Sequence, residues 1–466
     1  MNLSKFLFVL STVFSVSLGS VTPEAQADLV TDQPGLEYAG VEGQNIVQFS
    51  GYLNIVSTQK KIHYWYIQSE SDPVNDPVVF WTNGGPGCSG LLGLLTEQGP
   101  FKPTADGKLI MNDWRWNRIA NMVFLEQPVG VGYSYSTNSK EYHIGDDQTA
   151  LDNVQVILEF HKKFPQFKNS ETYITSESYG GHYMPTWAYE IIKYNKQQVP
   201  ENRINFKGFA VGNPYTDFYS GTGAMMEAYW DHQLIARPDW DRYVDEGCLE
   251  VANLLNKTAC SMLVMELERK VGNLNPYALN YPVCVTSQQS KMINYLTSYY
   301  NDDQSTYEPC EDNYATTYMN RPDVKTALHV NPNITWEQCS STTKYNVFDR
   351  LKTMQPYYNK ILNDRDASDV RILVYSGDND AVCATKYTNT WIWNLGYYHT
   401  SDYWKAWSVD SQVAGYLTQF KTPNGNQPRL TFMTVHGAGH EVPTYKPKEA
   451  FALFEAYLNN DYNGLS

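Results

Sequence analysis

The run Ser176-Glu177-Ser178-Tyr179-Gly180-Gly181-His182-Tyr183 places a serine between a β-rich stretch, Thr172-Tyr173-Ile174-Thr175, and a helical pattern from about Met184 to Tyr194. A serine on a sharp strand-to-helix turn holds its hydroxyl clear of the backbone, above the start of a helix, in a small-x-Ser-x-Gly pattern suited to a nucleophile. Ser176 stands where glycine is usual. That position asks only for little bulk, because neighbouring backbone passes close. A hydroxyl is a poor nucleophile until a base takes its proton. Histidine does this near neutral pH and passes the proton to a leaving group, while an aspartate fixes the ring tautomer and stabilises the charged ring. His436 and His440 compete for the first role and Asp378 and Asp380 for the second, and spacing chooses within neither pair. Charge developing on a carbonyl oxygen needs N–H donors held in place. Gly84-Gly85 can turn backbone N–H groups inward, and the Tyr179 N–H at the helix start supplies another. Together these residues suit acyl transfer through a serine. Two glycines inside His436-x-x-x-His440 spoil a helical metal pair, so no metal and no other cofactor is expected.

These groups lie far apart in sequence, but each follows a β-rich run. Pro77–Thr82 leads to Asn83-Gly84-Gly85-Pro86-Gly87-Cys88, and the run before Ser178 to the serine turn. Arg371–Tyr375 leads to Ser376-Gly377-Asp378-Asn379-Asp380, and Leu430–Val435 to His436-Gly437-Ala438-Gly439-His440-Glu441-Val442-Pro443. Loops after parallel strands gather at one sheet edge, where ligands bind. Asn121–Leu125 and Lys207–Gly212 read as further strands. Thr149–Phe164 reads as a helix with Leu151, Val154, Ile157, Leu158 and His161 on one face. Pro322–His329 and about Lys448–Leu458 read as others. Strand–helix alternation with the order Ser, Asp, His predicts an α/β-hydrolase fold with a central, mostly parallel sheet. The alternation breaks at residues 215–320, which hold four of the seven cysteines and helical patterns at Val251–Leu255 and Met262–Lys270. This stretch is expected to be an inserted, disulfide-stapled helical cap subdomain, with residues 28–214 and 321–466 forming the core.

Lys5 before the apolar run Phe6–Leu18, followed by the small-residue sites Ser17-Leu18-Gly19 and Ala25-Gln26-Ala27, reads as a signal peptide over residues 1–27. Entry to the secretory pathway gives the seven cysteines a meaning: three bridges and one thiol are expected. Asn256 and Asn333 head glycosylation sequons. A net charge of −15 and a pI near 5.1 argue against nucleic acid and anionic membrane as partners and fit an acidic compartment.

Asn83–Ser89, Glu177–Tyr183, Gly377–Asp380 and Gly439–Pro443 resemble the signature blocks of the serine carboxypeptidases, the relatives of carboxypeptidase Y, the wheat enzymes and cathepsin A. Ser50–Leu53, Gln127–Ser136, Gly212-Asn213-Pro214 and Asn320–Val324 agree, so the resemblance spans nearly all of the expected mature chain. It implies a serine-type carboxypeptidase releasing C-terminal amino acids through an acyl-enzyme at acidic pH. Ser178, Asp380 and His440 would be catalytic, and the Gly85 and Tyr179 N–H groups would form the oxyanion hole. Asn83, Glu177 and Glu97 would bind the substrate carboxylate. It further implies bridges Cys88–Cys339, Cys248–Cys260 and Cys284–Cys310, leaving Cys383 free near the site, with Cys383 and Glu441 as candidate specificity residues. Expected partners are peptide or protein substrates with a free C-terminus, and a homodimer is admitted. The destination is secreted, lysosomal or vacuolar. The alternatives are an acyltransferase of the same fold, whose members tend to carry Asp at the position of Glu177, and an inactive binding or protective partner.

Overall fold

The computed structural model describes residues 21–36, 46–219, 223–285, 307–422 and 427–465. Val78–Thr82 is buried along its whole length, as a strand covered on both faces must be. Successive residues point to opposite sides. Val78 and Phe80 enter one hydrophobic cluster, Val79 and Trp81 another. The same split runs through Val123 against Phe124, Ile174 against Tyr173, Val374 against Leu373, and Phe432 against Met433. A single sheet therefore divides two cores.

Among the described residues the sheet has 12 strands. Its centre is a parallel run in the order Asn121–Leu125, Val78–Thr82, Thr172–Glu177, Phe206–Gly212, Arg371–Gly377 and Pro428–Val435. Antiparallel strands flank it: Gln48–Asn54 and Lys60–Ile67 on one side, Gln412–Lys421 and Lys405–Val409 on the other. The helices Asp146–Lys163 and Gly180–Lys196 cover one face, burying Val154, Phe160, Met184, Trp187 and Ile191. Helices Leu91–Thr96 and Pro447–Asn459 cover the other. This is the α/β-hydrolase architecture with the expected mostly parallel centre.

Two details depart from the sequence expectations. Leu151 is 48% exposed, whereas Val154, Ile157 and His161 are buried as assigned and Leu158 packs partly buried against the core; Ala150, Val156 and Phe160 complete the face. At the amino end, Thr22 caps the short helix Pro23–Ala27, and Ala25 is wholly buried in the core beside Phe49. Residues 21–27, assigned to a signal peptide on sequence, thus pack as part of the folded body; residues 1–20 lie outside the described residues.

Between Gly212 and Arg371 the chain leaves the sheet. Helices Met225–Asp231, Arg237–Asp245, Val251–Asn256 and Thr258–Val271 build a third hydrophobic cluster around Tyr243, Leu263 and Leu267. That cluster rests on Ala381, Ala384 and Tyr387, just past the third of the four loops. The bridges Cys88–Cys339, Cys248–Cys260 and Cys284–Cys310 form as expected, and Cys383 is free and buried.

Candidate active site

Ser178 takes φ of 57°, a left-handed conformation that a non-glycine residue adopts only when the surroundings hold it there. Its N–H donates to Gly212 O at 3.0 Å, and its carbonyl accepts from Gly181 N at 2.9 Å and Tyr215 N at 2.7 Å. The turn leaves no room for side chains around it. A Cβ on Gly181 would lie 2.3 Å from Tyr215 O, and one on Gly180 would lie 2.2 Å from the Ser176 hydroxyl. Ser176 is therefore tolerated because its small side chain faces a glycine.

The two histidine–aspartate pairs separate by burial. His436 Nδ1 meets Asp378 Oδ2 at 2.8 Å on the surface, with the His436 side chain 72% exposed. His440 Nδ1 meets Asp380 Oδ2 at 2.6 Å, with both side chains almost fully buried. His440 Nε2 has no hydrogen-bond partner among the described residues, and His440 and Ser178 line one cavity of about 610 Å³. Asp380 is itself held: Oδ2 accepts from Asn213 Nδ2 at 2.9 Å and Cys383 N at 3.1 Å, and Oδ1 from Val382 N at 2.7 Å. The Asn213 Nδ2 also donates to Gly377 O, and its Oδ1 accepts from Gly377 N, so one amide clamps the whole aspartate loop. Asn213 was not singled out as a site residue; its place at the end of the Phe206–Gly212 strand was the available signal.

Gly85 lines the cavity with φ of +113°, which favours glycine, and the Gly84 backbone passes so near the elbow that a Cβ would lie 2.4 Å from Tyr179 N. Neither the Gly85 N–H nor the Tyr179 N–H is engaged by another group among the described residues. Both are free to donate where an oxyanion would form.

At the other end of the cavity, Asn83 Nδ2 donates to Glu177 Oε1 at 2.7 Å and Glu97 Oε1 at 2.8 Å. Its Oδ1 is fixed by Trp81 Nε1 and Gly93 N. The remaining oxygen of each carboxyl is buried without a partner. Burial and then the charge of Glu441 push Glu97 up to about 8 against the hydrogen bonds of Asn83 and Glu177, and burial with the charges of Glu97 and Glu441 holds Glu177 well above the usual carboxylate range. Two carboxyls so close cannot both ionise at low cost; they keep protons and become donors. Glu441 rises to about 7, mainly through burial, with His440 opposing the shift. Burial pulls His440 down, but the Asp380 carboxylate and the nearby Glu441 and Glu97 outweigh it and set it at about 9.

The insert also contributes to the cavity wall, through Tyr277, Tyr307, Glu308, Glu311 and Asp312. Glu311 is buried, raised to about 7 by that burial against the pull of Lys102, and one of its oxygens has no partner. None of these wall residues was anticipated, since no motif marks them. Glu441 lines the cavity and accepts from Tyr445 OH at 3.2 Å. Cys383 does not line it; burial first, then Asp380, pushes its thiol well up. Asp380, Cys383 and His440 are a set of three metal-ligating side chains whose ligand atoms lie within 4.8 Å of one another. Both Asp380 oxygens are already engaged, Oδ2 by Asn213, Cys383 N and His440 and Oδ1 by Val382 N. Asn256 and Asn333 are both exposed.

A family profile described as serine carboxypeptidase matches residues 34–460. Among curated relatives, serine carboxypeptidase-like 25 of Arabidopsis thaliana is 34% identical over 455 residues, covering 93% of this chain and 92% of its own. Serine carboxypeptidase 24 of the same plant is 34% identical over 467 residues, covering 97% and 95%. The crystal structure of a prohormone-processing carboxypeptidase from Saccharomyces cerevisiae superposes with a TM-score of 0.77 at 22% identity, covering 95% of this chain and 99% of that one, a likeness of fold.

Proposed function

The chain belongs to the serine carboxypeptidase family, and from that premise we propose that it removes amino acids one at a time from the C-terminus of peptides at acidic pH. The observation that carries this is the Glu97–Asn83–Glu177 cluster at the end of the cavity holding Ser178 and His440. Acyl transfer by serine needs only the nucleophile, base and oxyanion donors. A buried pair of protonated carboxyls adds a site for an anion, and in a peptide the anion next to the last peptide bond is the terminal carboxylate.

His440 Nε2 takes the Ser178 proton as Oγ attacks the last peptide carbonyl. The Gly85 and Tyr179 N–H groups receive the oxyanion, and Asp380 holds the imidazolium. His440 then gives its proton to the departing amine, leaving an acyl-serine. Water, deprotonated by His440, releases the shortened peptide. Base catalysis requires neutral His440. Asp380 holds a proton on that ring, so kcat should fall as pH drops even while the protonated carboxyls improve binding.

Above about pH 7, where Glu311 and Glu441 ionise, the acids Glu308, Glu311, Asp312 and Glu441 along the wall favour a basic side chain beside the cut bond. An Arg-ended peptide should exceed its Leu-ended twin in kcat/KM by on the order of tenfold, about 1.4 kcal/mol. The main test incubates the purified protein at pH 5 with a peptide carrying a free C-terminus and with its C-terminal amide, and follows the products by mass. A ladder of C-terminal losses from the free acid, at a rate well above that from the amide, is expected. Equal rates on both, or transfer from a glucose ester without peptide cleavage, would remove the peptidase reading. The three bridges, with exposed sequons at Asn256 and Asn333, support a route through the secretory pathway. The expected partners are peptides or proteins with a free C-terminus.

A further inference from the structure

The block Gln127–Ser136 lines none of the catalytic cavity, yet the residue before it, Glu126, is the centre of a buried polar cluster. Its side chain is fully buried and takes four donors. Oε1 accepts from Ser89 Oγ at 2.5 Å and Trp336 Nε1 at 2.6 Å; Oε2 accepts from Tyr133 N at 2.7 Å and His63 Nδ1 at 2.9 Å. Beyond His63, its Nε2 lies 3.0 Å from Ser50 Oγ, and Ser50 donates its one proton to Leu328 O at 2.7 Å. Only glycine fits opposite: a Cβ on Gly132 would lie 1.8 Å from Glu126 Oε1. Ser50, His63 and Glu126 imitate a hydrolase triad in residue type, but all three are sealed from solvent, so the cluster acts through what it holds.

What it holds is the far end of the loop that carries Gly85. Ser89 Oγ, besides donating to Glu126, accepts Leu91 N–H at 3.1 Å and so starts the helix Leu91–Thr96 that leads to Glu97. Ser89 N donates to Gln338 O and Ser340 N to Gly87 O, both at 2.8 Å, lacing the loop to the Cys339 arm that Cys88 bridges. Trp336, on that same arm, meets the same carboxylate oxygen as Ser89. We infer that Glu126 is a positioning residue for the oxyanion loop: one buried carboxylate ties Ser89 and Trp336 together and so fixes where the Gly85 N–H stands. This rests on the serine-hydrolase reading of the cavity.

The test uses the full chain and four forms: wild type, Ser89→Ala, Glu126→Gln and Tyr66→Phe. The last loses one buried hydrogen bond, Tyr66 OH to Asn121 at 2.8 Å, in the sheet core. For each form, the rate constant for Ser178 modification by a fluorophosphonate, kcat and KM for one peptide, and the unfolding midpoint are measured well below that midpoint. Ser89→Ala and Glu126→Gln should react about ten- to a hundredfold more slowly and lose kcat in proportion, as expected when a donor moves by about 1 Å. KM should change less than about threefold, while Tyr66→Phe loses stability at an unchanged rate. Ser89→Ala reacting at the wild-type rate overturns the inference, and does so even if Glu126→Gln fails to fold. A rate loss in Tyr66→Phe that matches its loss of stability also overturns it, because stability alone would then explain the effect. A wild type that fluorophosphonate does not modify sinks the hydrolase reading itself and the inference with it, a result distinct from the other two.

Discussion

Glu177 can bind a carboxylate only while it carries a proton, and its setting makes that proton hard to lose: full burial, Glu97 alongside and Asn83 as the single donor shared between them. As pH climbs through about 8, where Glu97 ionises, the cluster turns from donor to anion and repels the substrate terminus. KM for a free-acid peptide should therefore rise with pH, approaching tenfold per unit above the folded pKa. An ester or amide substrate without that carboxylate should be little affected. Glu97→Gln keeps a donor there at every pH, so its KM profile should flatten while kcat at pH 5 stays within about tenfold of wild type. A variant profile as steep as the wild type would show that the carboxylate is held elsewhere. Residue identity alone announced Ser178 and the glycines around it. Whether Asp378 or Asp380, His436 or His440, does the work was decided by burial, since one pair sits in water and the other in the cavity wall.

The turn between Thr172–Glu177 and Gly180–Lys196 is the element on which the site hangs, and its glycines are there for contact rather than flexibility. Gly181→Ala would push a methyl into the Tyr215 carbonyl, which itself follows the strand carrying Asn213. Overpacking of this kind costs about 1–3 kcal/mol, and here the strain falls on the loop that orients Ser178. The expected outcome is a fall in kcat of about tenfold or more with retained binding of a product amino acid, read by steady-state kinetics and calorimetry. Full activity in this variant would mean that the elbow moves as a rigid piece and that the clearance is not needed. Strand positions were legible because both-face burial writes continuous apolar runs such as Val78–Trp81. The flanking antiparallel strands Lys405–Val409 and Gln412–Lys421 were not, because many of their residues face solvent and their sequence carries Gly415 and polar side chains. The exposure of Leu151 in Asp146–Lys163 has a similar cause: it looks apolar in sequence, but the helix buries Asp152 against Lys60 instead.

At the scale of the molecule, buried acids make stability a function of pH. Glu97, Glu311 and Glu441 have folded values of about 8, 7 and 7 against 4.5 when free. A raised value means the folded state holds the proton more tightly, so their contribution is complete below about pH 4.5 and is lost as pH rises through 7 and 8. His440, at about 9 against 6.5, adds in the same direction: complete below 6.5 and lost through 9. His161 opposes them from the acid side. Burial lowers it to about 4, so its contribution is complete above 6.5 and is lost as pH falls through 4. The net charge of −15 at neutral pH also shrinks toward the pI near 5.1, easing self-repulsion. The unfolding midpoint should peak near pH 5 and fall by several degrees by pH 8, measured by calorimetry across that range. A midpoint that rises from pH 5 to 8 would mean these acids are ionised in the folded chain.

The sequence by itself determined the family, the order of the chemistry along the chain and the sheet that assembles it. Those depend on local patterns: apolar runs, glycines at turns, and a serine between strand and helix. The tertiary structure alone decided which acid meets which histidine, how Asn213 secures Asp380, that residues 21–27 pack into the body, and that acids from the insert wall the cavity. Those facts concern residues far apart in sequence, and electrostatics between them depends on distance and burial, which exist only once the chain has folded.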